Sequence, residues 1–224
     1  MAVNPLSRLL LSFQLFQGMS RAELMQMAGN TKFGFLKLPQ GKTVIKAGDP
    51  CRQLLFLVSG QLTFAMQSDD HRYLVQETLA APLLLQPDVL FGPQPRYTAT
   101  AVTASPSHFI TLSKDEVLRL TDDFLIIRLN LLNLLSSLAQ RRGRHPWRPQ
   151  PAELRERVIR FLTDHCVYPA GPKLFFILMS QLAHELAVSR LDISRCLNAL
   201  QSEGLLTLHR GRIEIPMIEH LLMR

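Results

Sequence analysis

The sequence predicts an α+β chain in which a β-rich first half, one long apolar helix and a compact basic C-terminal third follow one another. Three observations carry this. Between about residues 35 and 112, short apolar runs alternate with turn residues. From Ser113, apolar residues recur at helical spacing for almost thirty residues. Beyond Pro149, short helical patterns lead into a two-stranded pattern. With 224 residues, 47% hydrophobic and 19% charged, the chain can bury real cores, which excludes a disordered polymer.

Taken in order, Leu9, Leu10, Phe13 and Phe16, then Leu24, Met25, Met27 and Ala28, predict N-terminal helices, with Ser20 and Glu23 at capping-box spacing. The runs Phe35–Leu38, Thr43–Ile45, Leu54–Val58, Gln61–Met66 and Tyr73–Leu79 are separated by Pro39-Gln40-Gly41, Gly48-Asp49-Pro50, Ser59-Gly60 and Ser68-Asp69-Asp70. Closely spaced turns between β-rich runs predict an all-β roll or barrel. Residues 81–96 hold four prolines and read as an irregular loop, after which Thr98–Thr103 and His108–Leu112 return to strand character.

Ser113 and Glu116 again have capping-box spacing. The stripe Leu120, Phe124, Ile127, Leu131, Leu134 and Leu138 follows, widened by Leu125, Ile126, Leu129 and Leu132. A helix this apolar needs cover on two sides: the β region on one, and on the other either a second copy or the same subunit. The dimer reading places Leu131 at the symmetric seam. Arg141 to Pro149 breaks the pattern as a hinge. The expected domains are therefore residues 1–113, a β roll with N-terminal helices; 114–142, a dimerisation helix; 143–150, a hinge; and 151–224, a helical module with a hairpin.

Charge is uneven along the chain. The formal net charge is +7, of which residues 141–224 contribute +5 from 13 basic and 8 acidic groups. That excess is the footprint expected of a polyanion-binding module. Cys51, Cys166 and Cys196 are dispersed, which excludes a disulfide framework or a cysteine metal cluster and suits a reducing cytoplasm. Met1 to Arg8 lacks the pattern of a signal peptide, and no apolar run reaches membrane-spanning length, so a cytoplasmic protein with no membrane partner is expected. No phosphate-binding loop, HExxH or GxSxG motif is present. No catalytic residue, metal ligand or cofactor is assigned, and the chain does not read as an enzyme.

The densest signal is residues 179–200. Leu182, Ala183 and Leu186 are spaced to face Ile193, Leu197 and Leu200 across a tight turn, and Ser189 is placed to cap the second helix. Ser189, Arg190, Asp192, Ser194, Arg195 and Asn198 remain outside. Arginines in the first turn and five residues on can reach base edges and phosphates in a major groove. Ser180 and Gln181 on the first helix, with His209, Arg210 and Arg212 on the hairpin, are placed for phosphate contacts. The competing class is a small-molecule sensor carrying a vestigial DNA-binding module.

Over nearly its whole length the chain resembles the cyclic-AMP receptor protein and fumarate–nitrate regulator (Crp/Fnr) family of bacterial transcription factors. The family-like segments are Gly41, Ala47-Gly48-Asp49, Leu55 to Gly60, Arg96 to Ala101, and Ser189-Arg190 with Arg195. The resemblance implies a cyclic-nucleotide-binding-like β roll, a long dimerisation helix and a C-terminal winged helix-turn-helix. It also implies a homodimer on palindromic double-stranded DNA, RNA polymerase as a further partner, and a small-molecule effector of unknown identity. Many members carry an acidic residue directly after the first arginine; Leu191 stands there. The implied effector pocket contains Asp88, Arg96, Tyr97 and Thr98, but it departs from the nucleotide-binding pattern. Tyr97 replaces a small residue, Phe91-Gly92 is followed by Pro93, and the ribose-binding glutamate falls at Gln86 or Pro87. Cyclic AMP is therefore not the expected effector.

Overall fold

The structure is a computed structural model that describes residues 5–143 and 149–223. Its helices are α1 (Pro5–Leu10), α2 (Arg21–Asn30), α3 (Lys114–Asp123), α4 (Leu125–Gly143), α5 (Leu154–Asp164), α6 (Met179–Glu185) and α7 (Arg190–Ser202). The strands are β1 (Gly34–Leu38), β2 (Thr43–Ile45), β3 (Gln53–Ser59), β4 (Gln61–Gln67), β5 (Leu74–Ala80) and β6 (Leu83–Leu85). They continue as β7 (Thr100–Thr103), β8 (Ser107–Ser113), β9 (Lys173–Phe176), β10 (Thr207–His209) and β11 (Arg212–Ile215). Contacts divide the chain into two compact units. One holds residues 1–62, 80–98 and 102–148; the other holds 63–79, 99–101 and 149–224.

In the first unit, the sheet β1-β8-β3-β6 is built on the antiparallel β3–β8 and β1–β8 pairs. Its apolar centre is Phe56, which is fully buried and packed edge-on to Phe13 at 5.0 Å and tilted to Phe16 at 5.6 Å. Each such buried ring contributes about 1.5–3 kcal/mol by leaving water. The Ser20 capping box forms in full: the hydroxyl accepts from Glu23 N–H, and the Glu23 carboxylate accepts from Ser20 N–H at 2.7 Å. At Ser113 only half forms, because the Glu116 carboxylate turns instead to Lys32 N–H and Arg119. The β3–β4 corner requires Gly60, at φ +99°, where a Cβ would sit 2.7 Å from the Pro106 carbonyl oxygen.

The helical run from Ser113 is not continuous. Phe124 takes an extended backbone (φ −128°, ψ 106°) between α3 and α4, so the long helix begins at Leu125. Leu120, Phe124, Ile127 and Leu131 are all buried within their own unit. This corrects the expected seam, because these side chains already have cover and Leu131 cannot face a second copy. The apolar groups of α4 left in water are Leu125, Leu129 and Leu132, 64%, 46% and 54% exposed. Exposed Ser136 and Ala139 continue their four-then-three spacing. The hinge expected over residues 143–150 lies largely outside the described residues.

In the second unit, strands run in the order β10-β11-β9-β5-β4. Strand β9 is central, pairing with β11 on one edge (Phe175 opposite Ile213) and with β5 on the other (Phe175 opposite Val75). Val75 thereby joins one core with Val158, Leu162, Phe175, Leu182, Ile193, Leu197 and Leu200. The hairpin of residues 63–79, read from sequence as part of the β roll, thus packs with the C-terminal helices. Tyr73 and His165 reinforce the contact. The His165 Nδ1–H donates to the Phe161 carbonyl at 2.7 Å, so its Nε2 accepts from the Tyr73 hydroxyl at 3.0 Å.

Opposite each other in the β5–β9 ladder stand Glu77 and Lys173, joined at 2.8 Å with side chains 2% and 0% exposed. The carboxylate also accepts from the backbone N–H groups of Val167 and Tyr168, and the ammonium donates to the Ala170 carbonyl at 2.8 Å. Both charges are therefore met by several partners, the condition under which such a pair survives burial.

Candidate nucleic-acid interface

Helices α6 and α7 cross over Leu182 and Ala183 on one side and Ile193, Leu197 and Leu200 on the other, all buried. Small Ala183 permits the close approach. The turn between them is tight: Val188 N–H bonds the Ala183 carbonyl at 3.0 Å, and Ala187 adopts φ +51°, a left-handed conformation that glycine takes without strain. Ser189 caps α7 as its position predicts. Its Oγ accepts from Asp192 N–H at 3.1 Å and donates to the Asp192 carboxylate at 2.6 Å. Asp192 therefore lies within the cap rather than reaching outward.

The helix period sets what α7 presents. Ile193, Leu197 and Leu200 form the inward stripe, while Leu191, Ser194, Arg195 and Asn198, spaced i, i+3, i+4, i+7, form the outward one. Leu191, Arg195 and Asn198 are exposed and Ser194 is half-buried. Asn198 Nδ2 lies 3.4 Å from Ser194 Oγ, so the two polar groups are ordered together. Arg190 sits to one side and lines a cavity of about 350 Å³ with Ser180, His209, Arg210 and Arg212, between α6 and the β10–β11 hairpin. Arg195 sits toward the other side, beside Asp192 and Arg155.

In the hairpin, Gly211 (φ +72°) makes the tip. Arg212 pairs with Glu214 at 2.7 Å and His209 lies 3.5 Å from the same carboxylate oxygen, while Arg210 is exposed. The Arg212 Nε is buried with no hydrogen-bond partner among the described residues. On α6, Ser180 is exposed and Gln181 donates to Glu185 at 2.6 Å. Several basic groups of the C-terminal third are structural instead. Arg155 holds Glu203 with two bonds of 2.6 and 2.7 Å, Arg157 donates to the Leu186 carbonyl, and Arg160 to that of Pro149. The cations left facing water on this surface are those of Arg190, Arg195 and Arg210, none in an ion pair among the described residues.

The expected effector residues lie in the first unit. Arg96 is exposed, and its guanidinium donates to the Gly48 carbonyl at 2.8 Å. Gln86 and Thr98 satisfy each other: Gln86 Nε2 donates to Thr98 Oγ1 at 2.8 Å, and Thr98 N–H donates to Gln86 Oε1 at 3.0 Å. Tyr97 is buried, and burial together with neighbouring Cys51 pushes its hydroxyl pKa up. Asp88 is half-buried in the intervening loop. No group of histidine, cysteine or carboxylate side chains suited to a metal ion occurs among the described residues. No helix among them is long and apolar enough to cross a membrane.

Spacing places Arg190 and Arg195 outside the core, where the structure also has them, but two features escape it. In sequence Leu191 registers only as the absence of an acid, although its spacing with Ser194, Arg195 and Asn198 places it in mid-stripe. Glu77 and Lys173, 96 residues apart, left no local signal.

Residues 35–124 match the cyclic nucleotide-binding domain, and residues 156–224 match the Crp-like helix-turn-helix domain. A cyclic AMP receptor protein of Thermus thermophilus is 29% identical over 182 residues, covering 79% of this chain and 81% of the relative. Among solved structures, the catabolite activator protein of the same organism superposes with TM-score 0.53 at 24% identity, covering 94% of this chain and 97% of that one. The c-di-GMP-responsive global regulator CLP of Xanthomonas campestris gives 0.52 at 18% identity, covering 88% and 99%.

Proposed function

Since the chain belongs to the Crp/Fnr family of transcription regulators, whose members bind DNA and are not enzymes, we propose that it acts in the cytoplasm as a homodimer reading a palindromic operator through α7. The observation that carries this is the outward face of α7, where Arg195, Ser194 and Asn198 stand with exposed Arg190 beside a basic hairpin. In this reading Arg190, Arg195, Ser194 and Asn198 contact base edges. Ser180, Gln181, Ser189, His209, Arg210 and Arg212 hold phosphates, and Asp192 fixes the cap. The dimer seam is the Leu125, Leu129, Leu132, Ser136, Ala139 stripe, whose 3.5-residue repeat suits two α4 helices packed side by side. Two-fold symmetry then sets two α7 helices one turn of DNA apart, ~34 Å. RNA polymerase is the further partner through which binding would alter transcription.

The effector is a small molecule other than cyclic AMP. Related proteins are named for cyclic AMP in one case and c-di-GMP in another, so effector identity is not carried by the fold. Here the position expected to hold a ribose-binding carboxylate is Gln86, already committed to Thr98, or Pro87, which has no polar side chain, and Arg96 stands in water on the Gly48 carbonyl. Titrating labelled duplex DNA with the protein at 50 and 200 mM salt tests the DNA-binding reading. With six or more phosphate contacts, affinity falls by about a thousandfold or more. A salt-independent, negligible affinity would point to a sensor with a vestigial DNA module.

A further inference from the structure

Leu191 is 59% exposed in the first turn of α7, in the same outward stripe as Ser194, Arg195 and Asn198. It contributes nothing to the core beneath, which is filled by Ile193 and Leu197 at full burial. The first turn is also where the helix dipole favours an acid, a role taken by the neighbouring Asp192. Local stability thus gives no reason for a large apolar group at this point. A major groove offers a face that recognises one: among the four bases, only thymine carries an apolar group on its major-groove edge, the C5-methyl. We propose that Leu191 is a specificity-determining residue whose isobutyl group packs against a thymine methyl, selecting a T·A pair in each operator half-site. This rests on α7 being the DNA-reading helix and goes beyond it by assigning one base. The polar members of the stripe read neighbouring pairs by hydrogen bonds, while Leu191 reads its pair by shape and desolvation.

The experiment uses the full-length protein. An operator is first selected from random duplexes. Each thymine of one half-site is then replaced in turn by uracil, which removes only the methyl, and affinities are measured for the parent and for Leu191→Ala. One position should weaken the parent about fourfold, and about fifteenfold when changed in both halves, the equivalent of one methyl group's burial per site. Leu191→Ala should be indifferent to that replacement. Because Leu191 lies in water, the variant keeps its fold, checked by its thermal transition. If every uracil-sensitive position is equally sensitive in Leu191→Ala, or none is sensitive in the parent, the assignment is overturned while DNA reading stands. If selection returns no operator, the reading of α7 fails and the assignment with it.

Discussion

Replacing Glu77 by glutamine keeps the shape of the side chain and removes its charge, leaving the Lys173 ammonium buried without a carboxylate. The two groups lie 2.8 Å apart at 2% and 0% exposure, and water cannot substitute for the lost partner. Breaking such a buried pair costs about 3–5 kcal/mol, because the surviving charge stays desolvated; an exposed pair of the same geometry would cost about 0–1 kcal/mol. Glutamine also carries one acceptor where the carboxylate has two, so Val167 or Tyr168 loses a bonded N–H as well. Urea unfolding followed by far-ultraviolet circular dichroism reads the loss as a lowered midpoint at unchanged slope. Raising salt to 1 M should leave the difference intact, since buried charges are poorly screened. Adding Lys173→Met should restore most of the stability by removing the orphaned charge. A cost below about 1 kcal/mol, or one that salt abolishes, would mean that the pair is solvated and that β5 does not close against β9.

Arg195→Ala should weaken specific operator binding by about 1–3 kcal/mol and relax base preference at one position, checked by comparing selected sequences; coincident profiles would remove Arg195 from the readers. Leu129→Asp should yield folded monomers in sedimentation, because its like-charged copy would face it across the α4 seam; an intact dimer refutes that seam. Burial pushes the Cys166 thiol up to about 12, so its thiolate appears only as pH approaches that value. At pH 8 it carries roughly a thousandfold less thiolate than a free cysteine near 8.5. Alkylation in the native state should spare it and accelerate above pH 10, whereas labelling at the rate of a free thiol at pH 8 contradicts its burial. Calorimetric titration with cyclic AMP to millimolar concentration should show no saturable micromolar binding, since one missing charge-assisted bond costs about 1.5–3 kcal/mol. A micromolar isotherm abolished by Arg96→Ala would reverse that conclusion.

Local chemistry made much of the molecule legible in sequence. The Ser20 and Ser189 caps depend on hydroxyls placed before helices, and both form as their spacing indicates. Strand Thr43–Ile45 has the expected bounds, and the hairpin turns at Gly211. Periodicity alone could not say which face of an apolar helix meets its own subunit. Leu131 and Leu129 are equally apolar and two residues apart, yet the first is 7% exposed and the second 46%, decided by packing in the first unit. Nor does spacing reveal a break such as Phe124, where apolar residues continue on both sides. The basic excess divides once the chain folds: Arg155, Arg157, Arg160 and Lys173 serve the fold, and Arg190, Arg195 and Arg210 face outward. Long-range polar contacts such as Glu77 with Lys173 arise only once β5 and β9 are paired.

In the proposed function two copies of α7 read DNA in adjacent major grooves. Selection of bound duplexes from a random library, using the full-length protein at physiological salt, tests it most directly. An inverted repeat is expected, its half-sites centred about 10–10.5 base pairs apart, with base preference relaxed at one position of each half-site by Arg195→Ala. Enrichment of no sequence, or of a single unrepeated site bound by one copy, would contradict it.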